Sequence, residues 1–308
     1  MIRSIITLLI IAFLGYVGYL AWTKMEPEQK EAVKLAVTEK VKRAADVVAD
    51  KAAEMIEKKI KEKLTGKLTK EKRIEIAQKL DPTMTCETDG ATMMVVRFGD
   101  AIIGEATGGA AKTVTVESFY IDKTEVTNEQ FKKFLDATKY DWKGKWVKIE
   151  ETGWFSKTKA LIEVDAYPEE MAKYPVVSVC LADAEAYAKW AGKRLPTLIE
   201  WEVAARGADG RLYPWGAQFD PKKCSSAGDA DGHAVLAPVG SFAQDASPNG
   251  ALDMAGNVIE ITAVDGTPVA KGGGWTRKAD DCKLTSQETI APDARTHDLG
   301  FRCASDPK

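Results

Sequence analysis

Five cysteines and two histidines are the residues best suited to metal or nucleophilic chemistry in this chain: Cys86, Cys180, Cys224, Cys282 and Cys303, with His233 and His297. No CxxC pair occurs among them, so a zinc ribbon or finger is excluded, because such sites need closely spaced soft ligands. His297 is followed directly by Asp298 in RTHDLGF. Adjacency on a loop is not the geometry of a Ser-His-Asp device, and a surface histidine is the simpler reading. In RLPTLIEWE, Thr197 can cap a helix with Glu200 as its capping-box partner, which gives that carboxylate a structural role. Trp201, Trp215 and Trp275 read as bulky anchors of a loop-rich core rather than as ligand platforms.

The elements that must hold these groups fall into two unlike parts of the 308 residues. Residues 5–22, IITLLIIAFLGYVGYLAW, carry no charge and are long enough as a helix to cross the core of a bilayer. This predicts a transmembrane anchor within residues 1–24. The rival is a cleaved signal peptide. The anchor is preferred because the apolar run exceeds a usual signal core and is followed by TKMEPEQ rather than by small residues at a cleavage site. Arg3 and the amino terminus flank one side while Lys24, Lys30, Lys34 and Lys40 flank the other, so basic residues do not orient the span.

Residues 25–82 read as a basic helical stalk. The formal net charge is −3, yet Lys and Arg outnumber Asp and Glu between Lys24 and Lys79, so the remainder is acidic. Signs are interspersed, which describes a solvated helix, with weak attraction to anionic headgroups as the lesser reading and no nucleic acid implied. Past Pro27, no proline or glycine occurs as far as Leu64, and Val33, Val37, Val41, Ala44, Val48, Ala52 and Met55 recur in steps of four, four and three. That period drifts little on a straight helix and would give a right-handed supercoil on self-association. The alanines in the stripe make a weak coiled-coil seam, so a lone stalk or a surface-lying helix competes with an oligomer. Gly66 interrupts the pattern, a shorter helix near Lys70 to Lys79 follows, and Asp81-Pro82 closes the segment.

Beyond Cys86 the texture changes to short β-type runs, MMVVRF from Met93 and TVTVESFYI from Thr113, separated by turns rich in glycine. Two helices are predicted among them. One follows Thr127 and Asn128, either of which can cap FKKFLDA. The other, DAEAYAKW from Asp183, sets Ala184, Tyr187 and Ala188 on one face and stops at Gly192. Turns at Asp209-Gly210, Asp231-Gly232, Asn249-Gly250 and Asp265-Gly266 complete a mixed α+β domain over residues 83–308 with long irregular connections.

Several segments of that domain occur in the order and spacing of the formylglycine-generating (sulfatase-modifying factor) family: FYIDKTEVTNEQFKKF, YPVVSV, DAEAYAKWAGKRLPTLIEWEVAARG, YPWG, PNGALDMAGNVIE, KGGGW and LGFRCA. KRLPTxxEWExAARG followed by YPWG and DMAGNVxE is highly specific, and the chain resembles this family from about Ser118 to Ala304. The resemblance implies a variant of the C-type lectin fold, shared by oxidases, lectin-like binding proteins and iron enzymes, and a domain that is usually exported. With a single anchor, that puts residues 83–308 on the extracytoplasmic side. The iron enzymes use histidine triads, which two histidines cannot supply.

The resemblance also implies calcium, bound through the Asp253 side chain, the Gly256 and Val258 carbonyls and the Glu260 side chain. A glycine-containing turn between two carboxylates suits an ion that takes several hard oxygens, although Asp253 and Glu260 can also cap turns, and the tryptophans that flank Glu260 in the family are Ile259 and Ile261 here. A second family calcium site would use Asp231 and the His233 carbonyl, but its asparagine falls within Cys224-Ser225-Ser226.

Catalysis in the family needs two thiols five residues apart, which bind copper(I) and activate oxygen toward a substrate cysteine. KGGGWTRKADDC places Arg277 at the first position and keeps Cys282 at the second. One thiolate beside a guanidinium is a poor seat for a soft cation, so copper is not expected. Cys282 is then either a reactive thiol activated by Arg277 or, more commonly in an exported domain, half of a disulfide, with Cys303 as candidate partner. Ala188 and Ala205 stand where the family often has cysteine, so connectivity stays open and an odd thiol remains.

Whether the chain is an enzyme stays open, with the balance toward a non-catalytic binding or scaffold module at the membrane that recognises a protein, peptide or glycan. The alternatives are a formylglycine-type oxidase with an altered or borrowed thiol, and a membrane assembly factor whose active part is the stalk.

Overall fold

The computed structural model describes residues 68–104, 111–152, 158–228, 230–263 and 268–307. The predicted anchor and the predicted stalk as far as residue 67 lie outside these residues. Among the described residues no helix is long and apolar enough to cross a membrane.

A compact unit begins at Lys70, earlier than the boundary at residue 83 that composition suggested. Its first helix, α1 (Lys70–Gln78), belongs to this unit rather than to a stalk. Arg73 Nη1 pairs with Glu117 at 2.6 Å, and Arg97 donates through Nε to the Ala77 carbonyl at 3.1 Å and through Nη2 to the Leu80 carbonyl at 3.0 Å.

The strands follow as β1 (Thr83–Thr85), β2 (Thr92–Val96), β3 (Gly99–Ile103), β4 (Lys112–Val116) and β5 (Phe119–Asp122). The run TVTVESFYI, read from sequence as one β segment, is divided between two sheets. β4 forms a hairpin with β3, while β5 joins a larger sheet. The break falls where Ser118 Oγ accepts a hydrogen bond from the Phe98 amide at 2.8 Å, so the chain turns without a glycine or proline to mark it.

Two helices pack on the core as predicted. α2 (Asn128–Thr138) is capped by Thr127, whose Oγ1 accepts from the Gln130 amide at 3.3 Å while Gln130 Oε1 accepts from the Thr127 amide at 2.9 Å. Asn128 donates instead to the Met171 carbonyl. After a hairpin of β6 (Trp146–Thr152) and β7 (Thr158–Val164) come α3 (Leu181–Trp190) and α4 (Leu198–Arg206). Tyr187 of α3 stacks on Phe131 and meets Phe134 and Phe301 edge-on, making the aromatic centre of the larger core cluster. Thr197 and Glu200 form the predicted capping box on α4, and Arg194 clamps Glu200 with two bonds of 2.7 Å.

From Gly207 to Val258 the described chain is almost wholly turns. It ends in β8 (Ile259–Thr262), β9 (Val269–Lys271), β10 (Gln287–Thr289), β11 (Leu299–Gly300) and β12 (Ala304–Ser305). One four-stranded sheet has the order β1-β2-β5-β12 and the other β10-β9-β8-β11. β8 and β11 pair in parallel, with Leu299 opposite Ile259 and Gly300 opposite Glu260. This register carries the LGFRCA segment alongside DMAGNVIE and fixes the candidate site. Trp201 is fully buried as an anchor, whereas Trp215 and Trp275 are only half-buried.

Candidate functional site

The DMAGNVIE turn is shaped by its backbone. Asp253 and Asn257 adopt φ of 60° and 62°, and a Cβ on Gly256 would lie 2.4 Å from the Ser225 carbonyl oxygen, so no larger residue fits there. Asp253 Oδ2 accepts from the Gly240 amide at 2.5 Å, the Asp253 amide donates to Asp245 Oδ2 at 2.8 Å, and Asn257 Nδ2 donates to Glu125 Oε1 at 3.0 Å.

Three carboxylates, Glu125, Asp245 and Asp253, are thus gathered out of solvent, and Glu125 Oε2, Asp245 Oδ1 and Asp253 Oδ1 have no donor. Glu125 and Asp253 approach within hydrogen-bond range, which is attractive only if they share a proton. Burial first, and then the charge of Asp253, pushes Asp245 up to about 8. Burial likewise raises Glu125 and Asp253.

Glu260, predicted as a fellow calcium ligand, is committed elsewhere. Arg302 donates through Nε to Glu260 Oε2 and through Nη2 to Oε1, each at 2.7 Å, and Trp201 Nε1 adds a bond of 2.8 Å to Oε2. Arg302 spends its remaining donors on the Asp122, Lys123 and Leu252 carbonyls. The structure keeps Asp253 and Glu260 on one turn and strand but does not aim both at one ion. Among the described residues no three His, Cys, Asp or Glu side chains converge as a metal cage. The calcium set that the resemblance implies therefore does not fit as predicted, because its second carboxylate neutralises a buried guanidinium.

The predicted second calcium pair is a local turn. The His233 amide donates to Asp231 Oδ1 at 2.8 Å, and the His233 ring lies edge-on to Phe242. His297 Nε2 lies 3.1 Å from Glu163, and Asp298 is engaged by Thr276, Thr296 and Arg277, so these neighbours do not act as a dyad.

Arg277 holds Glu288 with two bonds, 3.0 and 3.1 Å, and reaches Asp298 through Nε at 3.3 Å. These carboxylates offset its charge. The contact with Cys282 Sγ, at 4.0 Å, comes from the Arg277 carbonyl. The predicted cystine of Cys282 with Cys303 is not formed: all five cysteines are free and buried, and the two belong to different core clusters. The Cys303 amide instead donates to Asp122 Oδ2. The neighbour that sequence reasoning missed is Cys224, which is packed close enough to Cys282 to feel its thiol. That contact and burial push the Cys224 thiol up. No spacing rule joins the two, because only tertiary packing brings them together.

A groove of about 330 Å³ is lined by Glu125 together with Asp89, Thr92, Glu129, Lys133 and Lys173 among others. It mixes charged groups of both signs, and nothing in the sequence marks it.

The family model described as a sulfatase-modifying factor enzyme 1-like domain matches residues 78–307. The "Inactive C-alpha-formylglycine-generating enzyme 2" of Mus musculus is 33% identical over 277 residues, covering 76% of this chain and 89% of the relative. The "Formylglycine-generating enzyme" of Thermomonospora curvata is 32% identical over 264 residues, covering 65% and 86%. Among solved structures, PvdO from Pseudomonas aeruginosa superimposes with a TM-score of 0.60 at 22% identity, over 74% of this chain and 100% of that one. At that identity the likeness is one of fold.

Proposed function

This chain belongs to the sulfatase-modifying factor enzyme 1-like family, and we propose that within it the chain is a binding module without formylglycine-generating activity. One observation carries this reading. The position of the family's first copper-binding thiol is Arg277, fixed by Glu288 and Asp298, and a guanidinium cannot act as a soft ligand. The similarity to relatives named as inactive supports the same reading.

In this proposal the loop-rich surface recognises a protein, peptide or glycan, and the charged groove beside Glu125 is the place for polar contacts. Residues 5–22 anchor the chain in a membrane and residues 25–69 display the domain on its outer side, with self-association through that segment as a further element. Calcium enters only as a stabiliser, through the Asp253 side chain and the Gly256 and Val258 carbonyls without Glu260, a set of hard oxygen donors.

The test is oxygen uptake by the purified full chain with copper(I) and a Cys-x-Pro-x-Arg peptide. No uptake above background is expected. Stoichiometric metal retention with oxidation of the peptide cysteine would overturn the proposal and favour the second reading, an oxidase with a borrowed thiol. The one observation on that side is Cys224 beside Cys282.

A further inference from the structure

Three segments are laced together around Cys224 and Cys282. The Ala227 amide donates to the Arg277 carbonyl at 2.7 Å, the Asn257 amide to the Ser225 carbonyl at 2.8 Å, and the Trp275 amide to the Asn257 carbonyl at 2.9 Å. The first bond ties the chain just after Cys224 to the residue whose carbonyl also faces Cys282 Sγ. Glycines allow the approach. A Cβ on Gly256 would sit 3.1 Å from Cys224 Cβ, and one on Gly273 would sit 2.4 Å from Cys282 Sγ. The result is two cysteines, 1% and 0% exposed, on segments tied to the same Arg277 carbonyl, which takes both the Cys282 thiol and the Ala227 amide.

The other cysteines are spent differently. Cys86 Sγ donates to the Ala191 carbonyl at 3.4 Å, Cys180 caps α3, and Cys303 lies by Asp122. Cys224 and Cys282 therefore stand apart as neighbouring cysteines whose segments are fixed to each other by backbone hydrogen bonds.

We propose that Cys224 and Cys282 form a disulfide that clasps the KGGG segment to the loop beginning at Cys224, and that the structure described here is its reduced form. The oxidant is a small-molecule or protein disulfide. One protein thiolate attacks it and expels a thiolate, giving a mixed disulfide, and the second protein thiolate then displaces the other half. The protein dithiol loses two electrons and two protons, and the oxidant leaves as two thiols. Because both sulfurs are buried in the finished fold, exchange occurs as the segments close during folding. In the cross-linked protein neither sulfur remains a thiolate, so the Cys282 position retains no nucleophile. This clasp is independent of the binding reading: a catalytically silent chain could hold either oxidation state.

The full chain is unfolded, then refolded with an excess of oxidised glutathione. Free thiols are alkylated under denaturing conditions, and peptides are mapped without reductant. The expected result is one cross-linked pair containing Cys224 and Cys282, with Cys86, Cys180 and Cys303 alkylated. Reduction should lower the melting midpoint by about 5 °C or more, as for a cross-link closing a long loop. Cys224→Ser and Cys282→Ser should each abolish that shift, and the double variant should add nothing. Alkylation of both thiols in the refolded wild type overturns the proposal, as does linkage of Cys282 to Cys303. So does retention of one copper(I) per chain by an uncross-linked pair, which would make the site a soft-metal seat.

Discussion

Arg302 grips both oxygens of Glu260 at 2.7 Å, with both side chains essentially sealed from solvent. A buried ion pair of this kind adds little over an apolar replacement, but breaking it strands a charge. Glu260→Gln should therefore cost about 3–5 kcal/mol, read as a lowered urea midpoint. A loss below about 1 kcal/mol would mean that the pair is solvated.

The carboxylates beside it make a pH prediction. Asp245 is raised in the folded protein to about 8, against about 4 in an unfolded chain. The folded state therefore holds the extra proton between those values, and the stability this contributes is present below pH 4 and lost as pH rises toward 8. In chelator the melting temperature should fall from pH 5 to pH 8, and Asp245→Asn should flatten the fall. Excess calcium should restore part of it at pH 8. Identical profiles with calcium and with chelator would remove calcium from the proposal.

Arg277 separates two explanations for the proposed lack of oxidase activity. Its guanidinium is neutralised by Glu288 and Asp298, so what the site lacks is a ligand, and a repelling charge is not the obstacle. Arg277→Ala should leave peptide oxidation at background and cost about 1 kcal/mol of stability, the scale of half-exposed ion pairs. Appearance of copper-dependent oxidation in that variant would show that charge alone had blocked the site.

Gly273→Ala tests the packing on Cys282 directly. The added methyl would meet Cys282 Sγ at 2.4 Å and its Cα at 2.7 Å, while the backbone there needs no left-handed conformation. A loss of about 1–3 kcal/mol is expected from overpacking, measured by denaturant titration. Unchanged stability would place the KGGG segment elsewhere.

Local signals made the helices legible. Caps at Thr127 and Thr197 and the face of Ala184, Tyr187 and Ala188 need only neighbours a few residues away, and all are present. The division between β4 and β5 was missed because no glycine or proline punctuates it, and the β6–β7 hairpin was missed although Gly153 stands between its strands. The site was legible by residue type and not by partner. A carboxylate such as Glu260 suits a cation or a guanidinium equally, and Arg302, which decides the matter, lies 42 residues away. Cys224 was invisible as a partner of Cys282 for the same reason.

The pairing of β12 with β5 governs when this domain can be finished. Arg302 reaches the Asp122 carbonyl across 180 residues of chain, and Ala304 exchanges backbone hydrogen bonds with Arg194 at 2.7 and 2.9 Å. A nascent chain on the ribosome has no means of completing the first sheet or neutralising Glu260 until residues 302–305 have emerged. Its earlier strands wait with an open edge, and distant contacts of this kind close slowly. Closure therefore waits on residues 302–305, and the interval before it is when a chaperone has most to protect.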